Sequence, residues 1–242
     1  MENDAIILRF KALGLHGMAE AVNDLLRLPV QMRPNIETAV CKMIETETRY
    51  RDDKRTARLL KAAKLRIKAH VEDVKCGTDR NLTKDMLMTV ADCGFVRRHQ
   101  NLLITGLTGC GKTYLACVLG YQACTLGMKV LYLSMNHFVD MLRQARVDGS
   151  WNEFLAKLRK IDLIILDDFG LQPMDSDARS GLLTLLDDRY EQSSIIITSQ
   201  LPIEKWYDYI AERTYADAIM DRIIGSSDHI ELKGESMRRK NR

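Results

Sequence analysis

Several things are missing from this 242-residue sequence, and each absence removes a class of protein. No apolar run approaches the roughly 18 to 20 residues that span a bilayer, so a helical membrane protein is excluded. The opening residues, MENDAIILRFKALGL, hold no basic stretch leading into a long apolar one, so a secretory leader is not expected and the chain reads as cytoplasmic. The six cysteines, at 41, 76, 93, 110, 117 and 124, include no Cys-x-x-Cys pair. Zinc therefore has little support, and reduced, small apolar residues are expected. There is no internal repeat and no low-complexity tract. The composition that remains, 46% hydrophobic and 29% charged, is the globular norm and excludes a disordered tail. The length suits one domain of roughly 150 residues with a smaller one beside it.

The net charge of +3 hides an asymmetry. Residues 1–98 carry 19 Lys+Arg against 14 Asp+Glu, whereas residues 99–242 carry 17 against 19. The excess concentrates between Arg49 and Lys68, where nine basic residues meet only Asp52 and Asp53. Such a cluster suits a polyanion.

Up to about His99 the periodicity is helical, with almost no strand signal. Ala5 to Leu13 and Met18 to Leu28 form short helices about a Gly14–Gly17 turn. A long helix is expected from about Ile36 to about Val74, with a break near Asp52, ended by Cys76-Gly77-Thr78. A further helix runs from Lys84 to Cys93, with Thr83 as N-cap and Gly94 just past its end. From Asn101 onward, short apolar runs alternate with longer amphipathic stretches: NLLIT, KVLYLS, IDLIIL, SSIIITS and DHIEL. That alternation predicts an α/β fold, a parallel sheet covered by helices, with the boundary between an all-α part (1–98) and the sheet domain (99–242) in Val96 to Gln100.

Gly106-Leu107-Thr108-Gly109-Cys110-Gly111-Lys112-Thr113 fits G-x-x-x-x-G-K-[ST], with a strand before it and a helix after it. A loop that curls tightly enough for consecutive backbone N–H groups to surround a polyphosphate needs residues without Cβ, and three glycines supply that freedom. The helix N-terminus adds its dipole. Lys112 is the candidate for the β- and γ-phosphates, and the Thr113 hydroxyl for the Mg²⁺ shell. Cys110 stands in the loop, where alkylation would block nucleotide, although the position needs only its backbone N–H and the thiol is expected to be incidental. A second strand ends in Asp167-Asp168, carboxylates with no packing reason to be there. Asp167 is expected to hold Mg²⁺ through water and Asp168 to polarise the attacking water. A third strand ends in Ser199-Gln200, polar groups able to reach the γ-phosphate if that strand lies between the other two.

With these three elements in order, the chain resembles the AAA+ ATPases of the helicase-loader branch, and within it the IstB-type transposition helper ATPases. The resemblance covers nearly the whole chain. Its phrases are Leu13-Gly14-Leu15-His16-Gly17-Met18-Ala19-Glu20-Ala21, Val96-Arg97-Arg98 and Leu166-Asp167-Asp168-Phe169-Gly170. They continue with Thr198-Ser199-Gln200-Leu201-Pro202-Ile203-Glu204-Lys205-Trp206, Asp221-Arg222-Ile223 and Glu231-Leu232-Lys233-Gly234-Glu235-Ser236-Met237-Arg238. The resemblance implies a P-loop NTPase with a five-stranded parallel sheet in the order 5-1-4-3-2, and an oligomer with ATP at its subunit interfaces. It also implies double-stranded DNA as ligand and a DDE transposase as the partner recruited and stimulated. Arg222 matches the arginine finger supplied to a neighbouring subunit, and Arg238 the sensor 2 arginine of a minimal lid. Many AAA+ proteins carry Asp-Glu where this chain has Asp167-Asp168; the shorter Asp168 suits slow, switch-like hydrolysis.

The polyanion surface is assigned to Arg51, Lys54, Arg55, Arg58, Lys61 and Lys68, opposite an apolar face of Leu59, Leu60, Ala63, Ile67 and Val71. No base-reading signature accompanies them, so binding through phosphates with little sequence preference is expected. Three alternatives remain: a replicative helicase loader acting through protein contacts, a P-loop small-molecule kinase, which would want an arginine-rich lid not seen here, and a nucleotide-binding module without hydrolysis.

Overall fold

The computed structural model of the protein describes residues 2–237. The chain falls into two compact units, Met1–Arg58 and Leu59–Arg242, so the observed division precedes the boundary expected at 98. The reason is packing: Leu82, Leu87, Val90, Cys93 and Phe95 share one apolar cluster with Leu102, Ile104 and Leu115 and belong to the sheet's own core.

The first unit is helical. Helix α1 (Glu2–Ala12) ends before Gly14, whose φ of 74° turns the chain, and α2 (His16–Arg27) follows. Helix α3 (Ile36–Ala63) runs without the break expected near Asp52. Gly17 lets α2 meet α3 at close range, since a Cβ there would lie 2.5 Å from the Thr46 carbonyl oxygen. At that crossing the buried Glu47 carboxylate accepts the Gly17 and Met18 amides at 2.8 and 3.2 Å and the Arg51 guanidinium at 2.7 Å. Burial pushes the Glu47 pKa upward, but the bonds from Arg51, Met18 and Gly17 together hold it below the ordinary carboxylate value.

Helix α3 stops at Ala63, well short of Val74, and Lys64 turns left-handed at φ 52°. Nothing in Lys64-Leu65-Arg66-Ile67-Lys68 forbids a helix. Tertiary burial overrides propensity here: Ala69 is buried, and Leu65 approaches Gly120 closely beside Ile165. Ile67, Lys68 and Val71 therefore do not lie on the basic helix.

Helix α4 (Lys84–Ala91) is capped by Thr83, whose Oγ1 accepts the Met86 amide at 3.1 Å. The left-handed residue beyond it is Cys93, not Gly94, which instead opens α5 (Gly94–Arg97). Then come β1 (Asn101–Gly106), α6 (Lys112–Thr125), β2 (Val130–Ser134), α7 (Met135–Val147), α8 (Trp151–Arg159), β3 (Leu163–Phe169), α9 (Ser176–Arg189), β4 (Ser194–Ser199), α10 (Trp206–Ile210), α11 (Arg213–Ile224) and β5 (Ser227–Leu232). The five strands are parallel in the order β2-β3-β4-β1-β5, the expected order read from the other edge. Alternation divides β1 to β4 between two cores, and β5 contributes to one of them. Leu103, Ile164, Leu166, Ile195 and Ile197 face α7 to α11, whereas Leu102, Ile104, Ile165, Ile196 and Ile230 face α4 to α6. Among the described residues no helix is long and apolar enough to cross a membrane.

At the amino ends of the strands, the buried Arg189 donates to the carbonyls of Leu158, Ile161, Asp162 and Ser194, and burial lowers its pKa to about 10. This side chain ties α8, α9 and the starts of β3 and β4 together.

Candidate nucleotide site

The carboxyl ends of β1, β3 and β4 converge, with β4 in the middle. Chain leaving β1 turns at Gly106 (φ 143°), Gly109 (φ 86°) and Gly111 (φ 99°) and enters α6 at Lys112. Two of these glycines are also required by space. A Cβ on Gly106 would sit 2.1 Å from the Leu232 carbonyl oxygen, and one on Gly109 2.2 Å from Ser236 Oγ. The loop thus rests on the end of β5 and the segment after it, where Met237 N donates to the Gly109 carbonyl at 3.0 Å. Lys112 Nζ lies along the loop, donating to the Gly106 and Leu107 carbonyls at 2.8 and 3.0 Å. Cys110 is 1% exposed, so its thiol is not open to a reagent; its carbonyl accepts Arg80 Nη2 at 2.7 Å.

The strand β3 carries its two carboxylates to opposite fates. Its pairing with β4 shifts register between Leu166 and Phe169, and Asp168 takes a left-handed φ of 64°, a conformation that Asp tolerates better than most residues. Asp167 consequently points inward and is fully buried, while Asp168 turns toward the cavity. Hydroxyl donors satisfy the Asp167 carboxylate: Thr113 Oγ1 at 2.9 Å, Tyr132 OH at 2.5 Å and Thr198 Oγ1. Thr198 also accepts the Asp168 amide at 3.1 Å, so one hydroxyl fixes both acids. Burial, with the Asp167 charge adding to it, pushes the Tyr132 phenol well up and keeps it a donor. The Arg66 guanidinium lies 3.7 Å from Asp167 and 3.7 Å from Asp168. Its hydrogen bond with Tyr132, and then the two carboxylates, raise its already high pKa.

The two strand-end candidates on β4 separate. Gln200 Oε1 accepts the Thr108 hydroxyl at 2.7 Å and faces the cavity. Ser199 is fully buried and donates to the Phe169 carbonyl at 2.6 Å, which makes it a brace for the chain leaving β3. The cavity itself holds about 380 Å³. Thr108, Gly109, Gly111, Lys112 and Thr113 form its polar side, and Ile67, Val74, Leu82, Tyr114, Leu115 and Met237 an apolar wall suited to a flat ring. A hydroxyl and a carboxylate in contact beside the phosphate loop fit Mg²⁺, which takes few protein oxygens and completes its shell with water and phosphate.

Arg222 stands elsewhere. It occupies the last turn of α11, where it pairs with Asp187, and its carbonyl accepts from Asn101 at the start of β1. The length of β1, about 16 Å, separates that end of the sheet from the phosphate loop, so Arg222 is outside its own chain's site. Arg238 lies outside the described residues. Of the basic set, Arg51, Lys54, Arg55, Arg58 and Lys61 are exposed on α3, and Lys68 is exposed beyond it. Sequence reasoning missed Arg66, Arg80, Tyr132 and Thr198; for Thr198 there was a signal, a polar residue inside the apolar run of β4.

This sheet order, with a phosphate loop after β1 and a buried acid at the end of β3, defines a P-loop ATPase of the AAA+ fold. The chain belongs to the family described as IstB-like ATP binding protein, which matches residues 8–242. A putative insertion sequence ATP-binding protein from Sinorhizobium fredii is 38% identical over 234 residues, covering 97% of this chain and 96% of that one. Among solved structures, DnaI superposes with a TM-score of 0.58 at 21% identity, covering 73% of this chain and 94% of that one. AMPPCP-bound DnaA from Aquifex aeolicus gives 0.58 at 23% identity over 72% of this chain, which spans about half, 53%, of that longer structure.

Proposed function

We propose that this protein is an ATP-dependent DNA-binding helper of transposition, which assembles on double-stranded DNA and there recruits and stimulates a DDE transposase. The observation that carries this reading is the basic face of α3. Arg51, Lys54, Arg55, Arg58 and Lys61 fall within an arc of about 120° on an unbroken helix, opposite Leu59, Leu60 and Ala63, and all five are exposed. A ladder of cations along one helix face fits a run of phosphates, and the family's insertion-sequence relatives supply the biological setting.

In the ATP site, Lys112 leaves the Gly106 and Leu107 carbonyls for the β- and γ-phosphates, and the loop amides take the remaining charge. Thr113 and Asp167 would hold Mg²⁺, which would supply charge neutralisation at the phosphates. Asp168, facing the cavity, orients and polarises the attacking water, and Gln200 orients the terminal phosphate from β4. Arg222, outside its own chain's site, would leave Asp187 to complete a neighbouring subunit's site, as the resemblance to arginine-finger ATPases implies. Arg238 is proposed for the same nucleotide as the sensor 2 arginine. The helical N-terminal part contacts DNA and the AAA+ part hydrolyses ATP.

The test is a reconstituted strand-transfer assay with a DDE transposase as the added partner. ATP should raise both DNA occupancy and transfer, and Lys112→Ala should abolish that rise. Binding of a replicative helicase without any effect on DNA would instead support the loader reading, which the DnaI-like fold also accommodates.

A further inference from the structure

Residues 64–70 form a strap that passes from the end of α3 across α6 to the acid pair. It is anchored on both sides of Arg66. Leu65 seats against Gly120, Ala69 is buried, and the His70 ring meets Tyr121 edge-on at 4.4 Å. Between the anchors Arg66, about half exposed, reaches Asp167 Oδ2 and Asp168 Oδ2 at 3.7 Å each, and Ile67 lines the nucleotide cavity. Asp167 is thus approached by three hydroxyls and one cation, and Thr113, one of those hydroxyls, is the group expected to enter a metal shell.

We propose that Arg66 is a positioning residue that acts as a resident cation: it holds Asp167 and Asp168 in place before nucleotide arrives, and Mg²⁺·ATP displaces its guanidinium from the acid pair while the anchors of the strap stay seated. A guanidinium and a divalent ion repel one another at such separations and would compete for the Asp167 carboxylate, so the two are alternatives. Tyr132 keeps its bond to Asp167 in either state, which leaves the acid oriented while the arginine departs. This inference rests on the Mg²⁺·ATP reading of the cavity.

The experiment uses the full chain and two readouts other than hydrolysis. First, Mn²⁺ is titrated by electron paramagnetic resonance into nucleotide-free protein. Arg66→Ala should bind it on the order of tenfold more tightly than the wild type, and Arg66→Lys should resemble the wild type. Second, trypsin cleavage after Lys64, Arg66 and Lys68 is mapped with a non-hydrolysable ATP analogue. Magnesium should accelerate cleavage after Arg66 several-fold over analogue with EDTA, with cleavage after the already exposed Lys64 and Lys68 as the internal control. Equal Mn²⁺ affinity in wild type and Arg66→Ala overturns the resident-cation assignment, and cleavage indifferent to magnesium while the analogue is bound overturns the displacement. If the analogue does not bind but Arg66→Ala still gains Mn²⁺ affinity, the nucleotide reading fails and the role of Arg66 stands.

Discussion

Replacing Lys54, Arg58 and Lys61 by alanine, with and without Arg51→Ala, should flatten the salt dependence of DNA binding by a calculable amount. Each DNA phosphate that the protein no longer neutralises lowers the slope of log K against log salt by about 0.9. Removing three exposed cations therefore changes the slope by about 2.7, and removing Arg51 as well by at most about 3.6. Arg51 counts for less than one because Glu47 already engages it at 2.7 Å. Between 50 and 200 mM salt, the wild type should accordingly lose affinity by a factor about 40 to 150 times larger than the variants do. Alanine preserves helix propensity and leaves Leu59, Leu60 and Ala63 untouched, so basal ATP hydrolysis and circular dichroism serve as controls. The triple variant also keeps the Glu47–Arg51 bond, which separates weaker phosphate binding from loosening of the α2–α3 crossing. Fluorescence anisotropy on a duplex without a preferred sequence measures the slope. A triple variant whose slope matches the wild type would refute the assignment of this face to DNA.

Lys112→Ala should remove detectable ATP binding, read by a fluorescent analogue, because the loop loses its side-chain cation. Arg222→Ala and Asp168→Asn, each inactive alone, should recover part of the hydrolysis when mixed, since some interfaces then combine an intact finger with an intact acid; no recovery in verified mixed oligomers would count against a shared site. Arg189→Met should cost about 2 to 4 kcal/mol in urea unfolding, as buried carbonyls at the strand starts lose their donor. Glu47, held below its ordinary value near 4.5, stabilises the first unit fully above that pH and progressively less as pH falls through its folded pKa. The Gly17 and Met18 amide shifts should follow that acid transition, and Glu47→Gln should abolish it.

The sheet and the phosphate loop were legible because their signals are local. Strands β1 to β4 are short apolar runs rich in Ile, Leu and Val, and the loop needs glycines at fixed spacing. The end of α3 was not legible, because Lys64 to Lys68 favours a helix until Leu65 finds its seat against α6. Gly120 was the available clue, a glycine inside a helix that costs about 1 kcal/mol against alanine and so signals something packed close. Arg66 and Tyr132 reach Asp167 from 101 and 35 positions away along the chain, and no spacing rule connects them. Ser199 and Gln200 looked equivalent as neighbours; strand alternation sends one into the core and the other to the phosphate loop.

The approach of Gly106 to Leu232 and of Gly109 to Ser236 places the floor of the nucleotide loop on an edge strand. Edge strands are where sheets open first, and opening β5 would take away the support on which the loop curls. Ligand affinity and local opening of that edge are then one thermodynamic cycle: whatever free energy nucleotide gains from the curled loop must reappear as slower hydrogen exchange along β5. Amides from Ser227 to Leu232 would report nucleotide occupancy at residues that the ligand does not touch.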